Sequence, residues 1–174
     1  GTEISFEEFD AVRRDFAARG YDGNSSAIKY FNLTKTPWPT EYEQPYPDVH
    51  STLNALRQKG YRLGIVANQN YGLKNRLASW ELEEYFDVII SSAETGVSKP
   101  ERKIFEIALE AAECRASEAA MVGDRLDNDI SPARAVGMKT VWIKNGLASL
   151  QSPSLGDSIA DLVINSLPEL IEIF

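Results

Sequence analysis

A cluster of carboxylates follows an apolar run in the last third of the chain. Residues 119–122 are apolar, Gly123 ends the run, and Asp124, Asp127 and Asp129 then fall within six residues. Several carboxylates at the end of a buried strand are unfavourable for folding, because like charges repel and are costly to bury. Such a cluster suits Mg²⁺, which binds a few carboxylate oxygens and keeps several of its waters. The pattern therefore predicts a divalent-cation site, although acids at this position also stabilise the start of a following helix through its dipole.

Two other polar groups lie at the predicted ends of secondary-structure elements. Lys99 precedes a helix predicted over residues 100–112, where a lysine beside backbone N–H donors suits a phosphate. Asn68 follows a strand predicted over residues 61–67, and its amide could donate to an anion. Each also has a simpler explanation, because a single lysine is usually solvated and asparagine favours turns through bonds to its own backbone.

Alternating strand and helix patterns predict the elements that position these groups. Short apolar strands that alternate with helices indicate an α/β fold with a doubly wound parallel sheet. In such sheets ligands bind outside the carboxyl ends of the strands, where Asn68, Lys99 and Asp124 are expected to lie. The strands are predicted at 61–67, 87–90, 119–122, 139–143 and 160–164, and the helices at 48–60, 71–80, 100–112, 130–136 and 166–174. Asp48 is expected to cap the first of these helices, and Ser166 with Glu169 has the spacing of a capping box at the start of the last.

The N-terminal part of the chain has a different pattern. Residues 3–31 have apolar side chains three to four apart, which predicts helix, with a break over residues 20–26. A proline-rich stretch at residues 36–47 then predicts a stiff linker. We therefore expect two parts, a helical segment with its linker at residues 1–45 and a core domain at residues 46–174.

Composition narrows the functional classes. The chain has 174 residues, a hydrophobic fraction of 43% and a formal net charge of −8. The acidic balance argues against nucleic-acid binding, and no apolar run reaches the roughly 20 residues that span a bilayer. The single Cys114 cannot form an intramolecular disulfide, and together with the lack of a visible signal peptide it leads us to expect a cytoplasmic protein.

Three segments taken in order resemble motifs of the haloacid dehalogenase-like hydrolase superfamily, most of whose members are Mg²⁺-dependent phosphatases. Residues 63–68 resemble the second motif, residues 96–105 the third, with Lys99 as its lysine, and residues 121–129 the acidic fourth motif. The resemblance extends from about Tyr46 to Phe174. The N-terminal helical segment resembles a small remnant of the helical cap that some members insert after their first motif.

The chain departs from the family pattern in two places. No apolar strand ending in Asp-x-Asp occurs in residues 1–46, so the first motif, which supplies the nucleophilic aspartate, is missing. Ala67 replaces the Ser or Thr whose hydroxyl binds phosphate in the family. The missing strand is central in the family's sheet, between the strands predicted at 61–67 and 119–122. An upstream segment, a partner chain or direct pairing of these two strands could fill its place.

The resemblance implies a phosphatase that acts through an aspartyl-phosphate intermediate on a small phosphorylated metabolite. It assigns Asp124 and Asp129 to Mg²⁺, with Asp127 as a weaker candidate. It assigns Lys99 to catalysis and phosphate binding, and Asn68 to phosphate binding. Without the nucleophile, the chain is expected to be incomplete and inactive as given.

Two alternatives remain open at the level of the sequence. A non-catalytic member of the same fold would bind phosphate or another protein, which suits both the missing nucleophile and Ala67. A 2-haloacid dehalogenase would need the nucleophile but no metal, which fits the acidic cluster less well. A gap in the sheet would also favour association into a homo-oligomer.

Overall fold

The computed structural model describes residues 4–19, 23–33, 43–145 and 160–174. The chain divides into two compact units, Gly1–Gln44 and Pro45–Phe174. Most of the proline-rich stretch expected to form the linker, residues 36–42, lies outside the described residues. None of the helices in the described ranges is both long enough and apolar enough to cross a membrane.

The first unit contains two helices, α1 (Phe6–Ala18) and α2 (Gly23–Tyr30). Helix α1 begins with a reciprocal cap, because the backbone N–H of Ser5 donates to the Glu8 carboxylate at 2.9 Å and the Glu8 N–H donates to the Ser5 hydroxyl at 3.2 Å. The break predicted over residues 20–26 is too long, since α2 already begins at Gly23. Small polar residues favour the first turn of a helix, so they open α2 rather than extend the break.

The second unit alternates strands and helices as the sequence predicts. In the described residues its strands are β1 Gly64–Ala67, β2 Val88–Ser91, β3 Ala120–Gly123, β4 Lys139–Ile143 and β5 Leu162–Ile164. Its helices are α3 Val49–Gln58, α4 Leu73–Ser79, α5 Ser92–Thr95, α6 Arg102–Ala111, α7 Ser131–Val136 and α8 Leu170–Ile173. The short helix α5 and a π-helical turn at Leu126–Ile130 were not predicted.

All strand pairs are parallel, which confirms the predicted fold class. Strand β1 pairs with β2, and β3, β4 and β5 form a second group in that order. Within the described ranges no hydrogen-bonded ladder joins β1 to β3. Direct pairing of these two strands, one of the three ways considered for closing the sheet, is therefore wrong for the part of the chain that the structure describes.

The two strand groups share one core, because the same helices pack against both. On α3, Leu56 is in a buried cluster with Val141 of β4, and Leu53 packs with Ile65 of β1 in another cluster. On α6, Ile104 and Phe105 form a third cluster, against which Val66 of β1 and Met121 of β3 pack. Side-chain packing, rather than a continuous backbone ladder, therefore joins the two groups.

Two predictions about helix ends had different outcomes. The Asp48 side chain, expected to cap α3, makes no capping bond, and its backbone carbonyl instead accepts from the Ser51 hydroxyl at 3.0 Å. The capping box predicted at Ser166 and Glu169 is confirmed, since the Glu169 carboxylate accepts from the Ser166 N–H and hydroxyl, both at 2.9 Å. The chain after this box forms a short 3₁₀ turn before α8, rather than one continuous helix.

Candidate active site

One side-chain amide joins the loop that follows β1 to the loop that follows α5. Oδ1 of Asn68 accepts from the backbone N–H of Lys99 at 2.7 Å, and Nδ2 of Asn68 donates to the Lys99 carbonyl, also at 2.7 Å. The amide thus pairs with both polar groups of a single residue, as a neighbouring strand would. Asn68 and Lys99, which the sequence placed at separate loops, are brought together.

Lys99 lies further from α6 than the sequence suggested. Glu101 is the N-cap of the helix, which begins at Arg102, so Pro100 is outside the first turn and two residues separate Lys99 from the helix. The ammonium is instead directed to residues 124–130, called the acidic loop below, where Nζ is 2.7 Å from Oδ1 of Asp129. Only 11% of the lysine side chain and 5% of the aspartate side chain are exposed, so the two form a buried ion pair.

Asp129 is fixed by contacts on both carboxylate oxygens. Oδ2 accepts from the Arg125 N–H at 3.1 Å, while the Asp129 N–H donates to the Arg125 carbonyl at 2.9 Å. Gly123 permits this arrangement, because a Cβ there would contact the Asp129 Cβ and lie 2.7 Å from its Cγ and 2.8 Å from its Oδ2. The glycine that ended the apolar run therefore allows the acidic loop to fold back on β3, a role that sequence reasoning missed.

Asp124 lies at the rim of this cluster. The residue is exposed at the surface, but the protein around its carboxyl removes part of its hydration and raises its pKa. Repulsion from Asp129 raises the pKa further, whereas Arg125 and Lys99 oppose the rise. A carboxylate with a raised pKa beside a second carboxylate is stabilised by a cation. The role of Asp124 as a metal ligand stays a prediction.

Asp127 has a different environment from the other two acids. Its carboxylate binds the Arg125 guanidinium at two points, with Nε–Oδ1 at 3.2 Å and Nη2–Oδ2 at 2.7 Å. The bidentate contact satisfies both oxygens. Asp127 therefore belongs to an ion pair at the surface of the loop, which fits its weaker ranking as a metal ligand.

The residues present form only part of a metal site. Asp124 and Asp129 supply carboxylates, but Asp129 is already bonded to Lys99 and Arg125. In the part of the chain that the structure describes, no three or more His, Cys, Asp or Glu side chains form a group that could hold a metal ion. Mg²⁺ prefers octahedral coordination by carboxylates, substrate oxygens and water, so Asp124 fits as one ligand of an otherwise incomplete set.

A buried tryptophan contacts the acidic loop from below. Trp142 of β4 is paired in register with Gly123 of β3, and its indole N–H donates to the Asp124 carbonyl at 2.9 Å. Sequence reasoning missed this contact, because the register between two parallel strands cannot be read from either strand alone. The sequence signal was a tryptophan between two aliphatic residues, Val141 and Ile143, in the predicted strand.

On the side of β1, the loop after Ala67 is held by its neighbours. The Gln69 N–H donates to the Ser92 hydroxyl at 3.1 Å, and the Gln69 side chain accepts from Arg76 at 2.9 Å. Ala67 itself offers no hydroxyl to an anion. At the end of β1, the Asn68 amide and backbone N–H groups are therefore the candidate anion donors in place of that hydroxyl.

Sequence comparisons match this chain to a family model and to curated relatives. The family model described as haloacid dehalogenase-like hydrolase matches residues 21–143. A glyceraldehyde 3-phosphate phosphatase from Pyrococcus furiosus is 40% identical over 151 residues, which cover 86% of this chain and 60% of that protein. A ribulose-1,5-bisphosphate 5-phosphatase from Halopiger xanaduensis is 40% identical over 144 residues, which cover 81% of this chain and 59% of that protein.

Solved structures lead to the same fold. The crystal structure of a HAD phosphatase from Thermococcus onnurineus superposes with a TM-score of 0.66 at 30% identity, covering 95% of this chain and 87% of that one. The chain spans 60% or less of the length of the two curated relatives described above.

Proposed function

The chain belongs to the haloacid dehalogenase-like hydrolases, and from this premise we propose that it carries the phosphate-binding and metal-binding half of a Mg²⁺-dependent phosphatase. The observation that carries the proposal is the convergence of Asn68, Lys99 and Asp129 through direct bonds at the carboxyl ends of β1, β2 and β3. A structural role alone would not require a buried lysine there, because a buried ion pair is seldom a net gain in stability.

Each residue has a distinct part in the proposed site. Lys99, held by Asp129, offsets the charge of the phosphate and of the attacking carboxylate. Asp124 is the direct ligand of Mg²⁺, and Asp129 acts on the metal only through the loop and the ion pair that it holds in place. Asn68 positions Lys99 and has a second amide N–H for a phosphate oxygen. Mg²⁺, when bound, would neutralise the phosphoryl oxygens.

The nucleophile in this proposal belongs to a strand between β1 and β3. In the described residues, the edge of β1 opposite β2 and the edge of β3 opposite β4, called the inner edges below, form no hydrogen-bonded ladder with another strand. Unpaired backbone groups at such edges favour addition of a strand. An aspartate at the end of that strand would attack phosphorus and break the bond from phosphorus to the sugar oxygen, which would take a proton from the second aspartate of the Asp-x-Asp motif. Water would then hydrolyse the aspartyl-phosphate. The 174-residue chain by itself should then be inactive.

Complementation tests this proposal directly. The chain is assayed for phosphate release from glyceraldehyde 3-phosphate and p-nitrophenyl phosphate, with and without Mg²⁺. It is assayed both alone and with a peptide that carries an apolar strand ending in Asp-x-Asp. We expect release only with peptide and Mg²⁺, and none with a matched Asn-x-Asn peptide or with Asp124→Asn. Robust turnover by the chain alone would contradict the requirement for an added strand.

The substrate class is the least specific part of the proposal. Relatives named for phosphatase activity on glyceraldehyde 3-phosphate and ribulose 1,5-bisphosphate support a small sugar phosphate. Such metabolites and a single cysteine fit a cytoplasmic protein.

Pairing of exposed inner edges between two copies would give a homo-oligomer, which sedimentation analysis with and without the peptide would detect.

A non-catalytic phosphate-binding or protein-binding domain is the second candidate. Ala67 favours it, because the position lacks the hydroxyl expected of a phosphatase. In that case the chain would bind inorganic phosphate through Lys99, yet the complementing peptide would produce no turnover. Release of chloride from a 2-haloacid without Mg²⁺ would instead support the dehalogenase alternative.

A further inference from the structure

We propose that Trp142 is a positioning residue for Asp124, holding the backbone from which the cation-binding carboxylate projects. Its indole N–H donates to the Asp124 carbonyl at 2.9 Å, and only 4% of the residue is exposed. The role toward the cation rests on the proposed function, whereas the hold on the loop does not.

The hydrogen bond lies where the backbone ladder stops. The β3–β4 pairing ends with Gly123 opposite Trp142, and Asp124 is the next residue after it. The Asp124 carbonyl is therefore beyond the last strand pair, and the indole supplies the donor that a continuing strand would have supplied. A buried indole N–H needs an acceptor, and it is a donor only, so the direction of the bond is fixed.

The ring is held by the same turn that carries Asp129. Trp142 forms a buried cluster with Leu126, Ile130 and Ala160. Leu126 and Ile130 are the first and last residues of the π-helical turn that contains Asp129. The indole therefore contacts the acidic loop at both ends, by a hydrogen bond at Asp124 and by packing around Asp129.

The ring plane is also covered by a cation. Nζ of Lys144 lies 5.2 Å from the centroid of the Trp142 ring, within range of a cation–π contact. Packing, this contact and the hydrogen bond therefore all act on the same indole ring. Loss of a group that orients a metal ligand typically weakens metal binding by about 10- to 100-fold.

Trp142→Phe separates positioning from filling of the core, because phenylalanine keeps a buried ring and removes the donor. Trp80→Phe is the matched control, since Trp80 packs in a different cluster around α4. Two quantities are measured by NMR. The first is amide hydrogen exchange at Arg125 and Asp129, relative to the β1–β2 amides, without metal. The second is the Mg²⁺ dissociation constant.

In Trp142→Phe we expect the loop amides to exchange faster relative to β1–β2 by roughly 2- to 12-fold, the factor for loss of one hydrogen bond. We expect Mg²⁺ binding to weaken by about 10- to 100-fold. Trp80 packs in the same cluster as Ile65 of β1 and Ile89 of β2, so for Trp80→Phe the comparison uses the loop amides themselves, whose exchange rates should not change, and the Mg²⁺ dissociation constant should not change either. A change in global unfolding alone would accelerate exchange in both strand groups alike.

Unchanged relative exchange in Trp142→Phe would overturn the inference, whatever the metal result. Absence of Mg²⁺ binding by the wild type would contradict the proposed function, while the exchange result would still decide the positioning role. If Trp142→Phe does not fold, the indole N–H signals of the wild type decide it. The Trp142 indole hydrogen should exchange more slowly than that of Trp80, and equal rates would refute the bond.

Discussion

Replacing Lys99 by methionine should strongly destabilise the fold, because it leaves Asp129 as an unpaired buried carboxylate. Methionine has a similar length, so the change removes the charge and retains most of the packing. Of the two donors to the Asp129 carboxylate, Lys99 Nζ at 2.7 Å and the Arg125 N–H at 3.1 Å, only the second remains.

The expected magnitude follows from the burial of the pair. With 11% and 5% of the two side chains exposed, water cannot replace the lost partner. Breaking a buried pair by removing one partner costs about 3–5 kcal/mol. For a chain of this size that corresponds to a fall in Tm of roughly 6–20 °C. The double variant Lys99→Met with Asp129→Asn also removes the carboxylate charge, so it should regain much of the lost free energy of unfolding.

Urea unfolding followed by circular dichroism gives the free energy of unfolding for each variant. Lys74→Met is the control, because the Lys74–Glu83 pair is 3.2 Å long and its side chains are 66% and 37% exposed. Such surface pairs contribute about 0–1 kcal/mol. If Lys99→Met is no more destabilising than Lys74→Met, the charge pair is not buried as described, and the electrostatic account of the site is wrong.

Three further predictions concern the same domain. Burial and a neighbouring carboxylate raise the pKa of Asp124 in the folded protein above its ordinary value of 3.8. The free energy of unfolding therefore falls as pH rises from the ordinary pKa to the raised pKa of the folded state. Asp124→Asn should therefore be more stable than wild type at pH 7, and the difference in Tm should vanish below the ordinary value. A less stable variant at pH 7 would refute this. Gly123→Ala should lose about 1–3 kcal/mol in urea unfolding, because the new methyl group overpacks the loop. Gly64→Ala, where a Cβ comes no closer than 3.5 Å to its neighbours, should lose much less. Hydrogen bonds from the Thr140 hydroxyl and N–H lower the pKa of Asp161, so its contribution to stability is lost as pH falls through that lowered value. Asp161→Asn should flatten the acid limb of the Tm–pH curve, and an unchanged limb would contradict the assignment.

The parallel sheet was predictable because apolar runs alternate with helical patterns along most of the second unit. The first residues of the strands were harder to predict. Strand β1 was expected from Tyr61 but begins at Gly64. The N–H of Leu63 donates to the Asp87 side chain at 2.9 Å, so a side chain rather than a strand holds the chain there. An apolar pattern along the chain does not show whether a backbone N–H donates to a neighbouring strand or to a side chain.

The convergence of polar residues in the site was also predictable, since the carboxyl ends of parallel strands meet at one edge. Their individual partners were not. Lys99 was expected to face a helix terminus, but it pairs with Asp129, thirty residues away. The contact of Trp142 with Asp124 depends on the strand register. The partner of each side chain depends on distances in the folded domain, and the spacing of residues along the chain does not give those distances.

Both hydrogen bonds of the Asn68 amide go to the main chain of Lys99, so the course of the loop and the chemistry of the lysine side chain depend on different atoms. The path of the loop is fixed through peptide groups, which every residue except proline presents alike. The side chain at 99 can therefore be exchanged without rerouting the loop, whereas a change at 68 would misplace whatever side chain stands at 99. An engineer seeking new reactivity should thus leave the asparagine untouched and vary the lysine together with its buried partner Asp129.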